Sequence, residues 1–205
     1  MHIIIFGDSI AQGFFDTEKG GWATLLSMHL QNLTIESEYN EYFSVFNQSI
    51  SGENTTEIIS RFGNEIQPRI SNKNKNVIIF AGGINDAKRL LPSNELYVPA
   101  DVTRRNVESF ISLASRMADK VFLVGLNRVN EQFTTNYNDD SFSNKDIEEY
   151  DSVIKDCADR LEVAYIPVSD LINDEHLDDG LHPNAVGHQL IFDRIKNVLE
   201  AEDLL

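Results

Sequence analysis

Gly7-Asp8-Ser9 closes a run of apolar, mostly β-branched side chains, Ile3–Phe6, at the start of a 205-residue chain. Such a run suits a strand buried on both faces. A hydroxyl just past the carboxyl end of that strand sits where open α/β sheets hold ligands. Ser9 is therefore a candidate nucleophile, and equally a plain helix cap. A serine nucleophile needs a base. Of five histidines, His2 begins a strand, His29 and His188 fall in helical patterns, and His176 lies in an acidic loop. His182 differs. It sits in Asp178-Asp179-Gly180-Leu181-His182-Pro183-Asn184, a turn leading into a helix. Asp179 precedes it by three residues across a glycine. That spacing lets a carboxylate reach Nδ1 and leaves Nε2 free to take a hydroxyl proton. The same residues also make an ordinary Asp-Gly turn and helix start.

Acyl transfer further needs donors aimed at a developing oxyanion. Two more segments offer them. Asn47-Gln48-Ser49-Ile50-Ser51-Gly52-Glu53 places the Gly52 N–H near a helix start, where negative charge is favoured. Gly82-Gly83-Ile84-Asn85-Asp86 offers the Asn85 side-chain amide. A helix cap at Ser51-Gly52 and a turn at Asn85-Asp86 are the structural alternatives.

These segments must be positioned by regular elements. Strand patterns at Ile3–Phe6, Tyr42–Phe46, Val77–Phe80, Val121–Val124 and Val163–Ile166 alternate with helical stripes. Trp22, Leu25, Leu26, His29 and Leu33 share one helical face, and Ile58, Ile59, Phe62, Ile66 and Ile70 another. Further stripes run through Val107–Met117, Ile147–Leu161 and Val186–Leu199. Strand–helix alternation implies right-handed crossovers and a parallel sheet with helices on both faces. The expected fold is a three-layer α/β/α, flavodoxin-like arrangement, with residues 1–205 as one domain. The connections Ala87–Ala100 and Asn127–Asp146 exceed the usual loop length. Both leave carboxyl ends of strands and should wall the crevice around Ser9. The polar stretch around Thr134–Ser143 reads as mobile. Its Phe133, Tyr137 and Phe142 could cover substrate or only pin the loop.

Composition narrows the function. The formal charge of −16 argues against nucleic-acid binding, which needs a basic stripe that the sequence does not show, and disfavours anionic membranes. No apolar stretch approaches transmembrane length. The first residues carry no basic region ahead of a long apolar run, so a cytoplasmic location is expected. Cys157, the single cysteine, rules out an internal disulfide and falls on an apolar helical face. No G-x-S-x-G elbow, P-loop or dinucleotide fingerprint occurs. The acidic stretch Asp174–Asp179 lacks the helical H-E-x-x-H face of a zinc hydrolase, and neither metal nor cofactor is expected.

From Gly7-Asp8-Ser9-Ile10 through Gly52 and Gly83-Ile84-Asn85-Asp86 to Asp179-Gly180-Leu181-His182, the sequence resembles the SGNH hydrolases, also called the GDSL lipase/acylhydrolase family. Ile10 replaces the leucine of the family label. Gly20-Gly21-Trp22 and Gly125-Leu126 are similar to its small bacterial esterases. The resemblance implies a sheet of order 2-1-3-4-5. It also implies a catalytic set of Ser9 (nucleophile), His182 (base) and Asp179 (orienting acid). The N–H groups of Ser9 and Gly52 and the Asn85 amide would form the oxyanion hole. The expected activity is cleavage of a small carboxylic ester, an acylated sugar among the possibilities. The loops are mostly polar, which favours short acyl groups. Asp8, Phe14, Phe15, Tyr97 and Phe133 are the expected substrate contacts. A thioesterase, a lysophospholipase-type lipase and a non-catalytic binding module on the same fold are the alternatives.

Overall fold

The computed structural model describes residues 1–205. Its spine is β1 (His2–Gly7), which leads through the single-turn α1 (Ser9–Gln12) to α2 (Trp22–Glu36). There follow β2 (Ser44–Asn47), α3 (Thr55–Ile66) and β3 (Asn76–Ala81). Two short strands, β4 (Arg89–Leu90) and β5 (Glu95–Leu96), precede α4 (Ala100–Ala114) and β6 (Lys120–Val124). The chain continues through α5 (Glu131–Thr134), β7 (Asp140–Ser141), α6 (Asn144–Arg160) and β8 (Ala164–Ile166) to α7 (Ala185–Ala201).

Five strands form a parallel sheet in the order β2-β1-β3-β6-β8. Strand periodicity splits its side chains between two cores. Ile4, Phe6, Ile78, Phe80, Val121 and Leu123 face α3, α4 and α6. Ile3, Ile5, Val77, Ile79, Phe122 and Val124 face α2 and α7. A strand buried on both faces must be apolar at every position, which is why Ile3–Phe6 shows no alternation. Cys157 is fully buried within α6. No helix is long and apolar enough to cross a membrane.

Leaving out the three short strands, this is the expected order 2-1-3-4-5. Those strands were not anticipated. The two long connections pair with each other in a small antiparallel sheet, β5-β4-β7. Thr134–Ser143, expected as a mobile stretch, contains the end of α5, a tight turn and β7. Its polar side chains are used in ion pairs, with Lys88 Nζ 2.7 Å from Asp140 Oδ2. Next to it Arg89 grips both oxygens of Asp146, at 2.8 and 2.6 Å.

Candidate active site

The carboxyl ends of β1, β2, β3, β6 and β8 carry all the segments singled out by their chemistry. Ser9 is the first residue of α1, capped by Asp8, whose Oδ1 accepts from the Ile10 N–H at 3.0 Å. Ser9 Oγ lies 2.9 Å from His182 Nε2. His182 Nδ1 lies 2.8 Å from Asp179 Oδ2. A carboxylate at Nδ1 places the ring proton there, so Nε2 accepts from the serine hydroxyl. Ser9 and His182 are 5% and 7% exposed.

The Asp179 turn holds itself. Asp179 Oδ1 accepts from the N–H groups of Leu181 and His182 at 2.9 and 2.8 Å. The Asp178 N–H donates to His182 O at 2.9 Å. Gly180 has φ +90°, and a Cβ there would lie 2.7 Å from the Phe133 Cβ. Pro183 precedes the cap of α7; Asn184 is the cap, accepting from the Val186 and Gly187 N–H groups. Burial acts to raise the Asp179 pKa. Hydrogen bonds from the His182 side chain and backbone, the Tyr137 hydroxyl and the Leu181 N–H outweigh it, and hold the carboxyl well below its ordinary value.

The oxyanion-hole candidates lie on two linked turns. Gly52 adopts φ +84°, a conformation glycine takes without penalty, and open space surrounds its Cβ position. The turn conformation, more than a close backbone approach, is what requires glycine there. Its N–H donates to no protein acceptor. The Ser51 N–H donates to Gln12 Oε1 of α1 at 2.9 Å. Asn85 Nδ2 donates to Glu53 O at 2.9 Å, leaving the second amide hydrogen unused.

Asp86, passed over in the sequence, organises this corner. Its Oδ2 accepts from the Thr55 N–H at 2.9 Å, and its Oδ1 from the Thr55 and Thr103 hydroxyls. It thereby ties the Asn85 turn to the starts of α3 and α4, and burial pushes its pKa up. The visible signal was an aspartate after a glycine-rich strand end with threonines opening two helical stripes. Asp16 likewise braces the Gly13–Gly21 loop, accepting from the N–H groups of Glu18, Lys19 and Gly21. His188, fully buried in α7, takes the Trp22 N–H on Nδ1 and donates from Nε2 to Phe14 O at 3.1 Å.

The expected substrate contacts fare unequally. Phe14 and Phe15 are partly exposed and their rings lie 6.1 and 5.1 Å from that of His182. Phe15 holds φ +66°, uncommon for an aromatic residue. Phe133 is 62% exposed and borders Gly180. Tyr97 lies under Lys88, whose Nζ is 4.4 Å from the ring centroid. Asp8 is 1% exposed, turned inward where it caps α1. Burial pushes its pKa up to about 7. The cavity bounded by Asp8, Ile10, Ile84 and Leu126 measures about 20 Å³. A roomier groove of about 420 Å³ lies between α2 and β2, lined by Ile35, Tyr39 and Tyr42 and remote from Ser9 in the fold. No three His, Cys, Asp or Glu side chains converge as metal ligands would.

Residues 5–190 match the family described as GDSL-like Lipase/Acylhydrolase. Several solved structures share the fold. The lipase/acylhydrolase from Enterococcus faecalis superposes with a TM-score of 0.74 at 22% identity, covering 98% of this chain and 96% of its own. For the acetyl xylan esterase AlAXEase the TM-score is 0.72 at 19% identity, with coverage of 97% and 100%. The psychrotrophic esterase EstA from Pseudoalteromonas sp., a structure inhibited by monoethylphosphonate, gives 0.70 at 16% identity, with coverage of 98% and 97%. A search of curated proteins found no match.

Proposed function

Since the chain belongs to the GDSL-like lipase/acylhydrolase family and is an ester hydrolase, we propose that it cleaves short-chain carboxylic esters through an acyl-enzyme on Ser9. The observation that carries this reading is the continuous relay from Ser9 Oγ to His182 Nε2 and from Nδ1 to Asp179, at 2.9 and 2.8 Å. Ser9 Oγ attacks the ester carbonyl as its proton passes to His182 Nε2. The tetrahedral oxyanion is held by the N–H groups of Ser9 and Gly52 and the free hydrogen of the Asn85 amide. On collapse, Nε2 returns the proton to the departing alcohol. Water then attacks the acyl-enzyme with His182 again as base, releasing the acid and restoring Ser9. Asp179 stays ionised throughout and keeps the ring in the tautomer that accepts from Ser9.

The preference for a short acyl group rests on the walls. A long acyl chain recovers about 0.8 kcal/mol per CH₂ only where apolar surface continues alongside it. Here the cavity beside α1 is about 20 Å³, and the larger apolar groove opens between α2 and β2. Phe14 and Phe15 can cover an acetyl or butyryl group at His182. The leaving alcohol fits a small sugar, the substrate then being an acylated sugar, since the exposed Phe133 ring offers a flat face of the kind sugars stack on. The fold relative AlAXEase is itself an acetyl xylan esterase.

The test is kcat/KM across p-nitrophenyl esters from acetate to palmitate, with Ser9→Ala beside the native protein. Activity should peak at about two to four acyl carbons, because further methylenes find no wall. It should vanish in Ser9→Ala. A steady rise past octanoate would contradict the short-chain reading in favour of a lipase or long-chain thioesterase. Full activity in Ser9→Ala would end the acyl-enzyme reading.

A further inference from the structure

The connection between β6 and α6 returns to the Asp179 turn with a contact the mechanism above does not use. The Tyr137 hydroxyl donates to Asp179 Oδ2, the same oxygen that faces His182 Nδ1. Tyr137 is well anchored for this. Tyr137-Asn138-Asp139-Asp140 closes as a two-residue hairpin turn, with N–H···O bonds of 2.7 and 3.0 Å between its ends. Asn138 and Asp139 supply the two positive φ angles, 51° and 67°, that such a turn requires. Asp140 is clamped by Lys88, and the Tyr137 ring packs edge-on to the buried Phe142. The start of α5 is tied to the Asp179 turn, the Asn130 N–H donating to Gly180 O at 2.8 Å. Burial and the Asp179 charge raise the Tyr137 pKa, so the phenol remains a donor across the working pH range.

We propose that Tyr137 is a positioning residue of the hydrolytic site, sharing Asp179 Oδ2 with His182 and so making the folded 127–146 connection part of a competent triad. The proposal rests on the acyl-enzyme reading of Ser9. A carboxylate oxygen divided between two donors presents less charge to each. Without the phenol, the charge concentrates on the His182 Nδ1–H and favours the imidazolium. The pH dependence of proton transfer from Ser9 to Nε2 would move with it. Asp179 would also lose one of the groups that fix Oδ2. His182 also feels the charges of Asp8 at the end of β1 and His188 on α7. Asp178 adjoins Asp179 along the chain, and on the hairpin Asp139 is next to Asp140, which Lys88 neutralises. Tyr137→Phe alters none of these groups.

The experiment compares the native protein with Tyr137→Phe, which keeps the ring against Phe142, after thermal unfolding shows both folded. Two rates are followed against pH: phosphonylation of Ser9 by a fluorophosphonate, and turnover of p-nitrophenyl acetate. The low-field proton resonance of His182 Nδ1–H is recorded in both proteins, which needs no substrate. In the variant the acidic limb should move up by about half a pH unit. Its kcat should fall about three- to tenfold with KM nearly constant, and the resonance should shift. Superimposed acidic limbs and an unmoved resonance, with Ser9 still phosphonylated, would overturn the role of Tyr137 and leave the acyl-enzyme reading standing. A change confined to KM or to thermal stability would reduce Tyr137 to a tether and equally overturn it. Failure of the native protein to be phosphonylated at Ser9 would overturn both readings together. Should Tyr137→Phe not fold, the double variant Lys88→Met with Asp140→Asn releases the hairpin from outside the triad without changing the local net charge, and the same limb shift is expected; an unmoved limb there would overturn the proposal.

Discussion

Asp179 and Asp8 are two carboxyls near one histidine, and their surroundings push them in opposite directions. Asp179 gathers four hydrogen-bond donors, so its charge is fixed and oriented. Asp179→Asn would leave an amide that cannot hold the Nδ1–H tautomer as a carboxylate does. Its kcat should drop about 10³–10⁴-fold with KM little changed, measured on p-nitrophenyl acetate. A near-native rate would shift the orienting role to another acid. Asp8 is buried with one backbone cap to satisfy it, and its pKa rises from 3.8 to about 7. Between those pH values the folded protein keeps a proton that the unfolded chain has lost. Stability contributed by Asp8 therefore falls as pH rises from about 4, and the full penalty is present above about 7. Asp8→Asn retains a capping oxygen without the charge. Urea unfolding should show equal stability at pH 4 and a gain in the variant growing to at most about 4 kcal/mol at pH 8. A difference independent of pH would mean that burial does not hold Asp8 protonated.

At the level of elements, the site depends on how each helix starts after its strand. Asn54 caps α3 in a full capping box, accepting from the Thr56 and Glu57 N–H groups while Glu57 returns to the Asn54 N–H. The Gly52-Glu53 turn leads directly into that cap, and Asn85 holds Glu53 O. Asn54→Ala should cost about 1 kcal/mol, read as a melting temperature lower by roughly 2–4 °C. An unchanged melting temperature would show that packing alone fixes the start of α3. Much of this was legible in the sequence because its signals are local. Asp179 and His182 are three residues apart, Ser9 follows its strand directly, and Ile3–Phe6 declares a strand buried on both faces. The second strand was displaced, expected at Tyr42–Phe46 and found at Ser44–Asn47. It is a half-buried edge strand, and its weak hydrophobic pattern gives little to locate its ends. The small sheet was missed because strands of two residues carry no period to detect. Tyr137 was left open for the same reason, since its contact depends on a turn and a pairing between distant segments. The inward turn of Asp8 was not legible, because linear sequence does not tell an inward carboxyl from an outward one.

Across the whole molecule, the parallel order β2-β1-β3-β6-β8 gathers five strand ends on one edge, and the candidate groups reach that edge on four separate segments, those of Ser9, of Gly52, of Asn85, and of Asp179 with His182. The net charge of −16 surrounds a site whose own charges are internally matched, Asp179 by its donors and Asp140 by Lys88. One serine should therefore stand apart from all others in reactivity, because it alone combines a base at 2.9 Å with neighbouring oxyanion donors. The direct test is to treat the folded protein with a fluorophosphonate, determine the intact mass and map the modified peptide. One adduct per chain on Ser9, absent after heat denaturation and strongly slowed in His182→Ala, is the predicted result. No adduct on the folded protein, or an adduct on a different serine, would contradict an acyl-enzyme on Ser9.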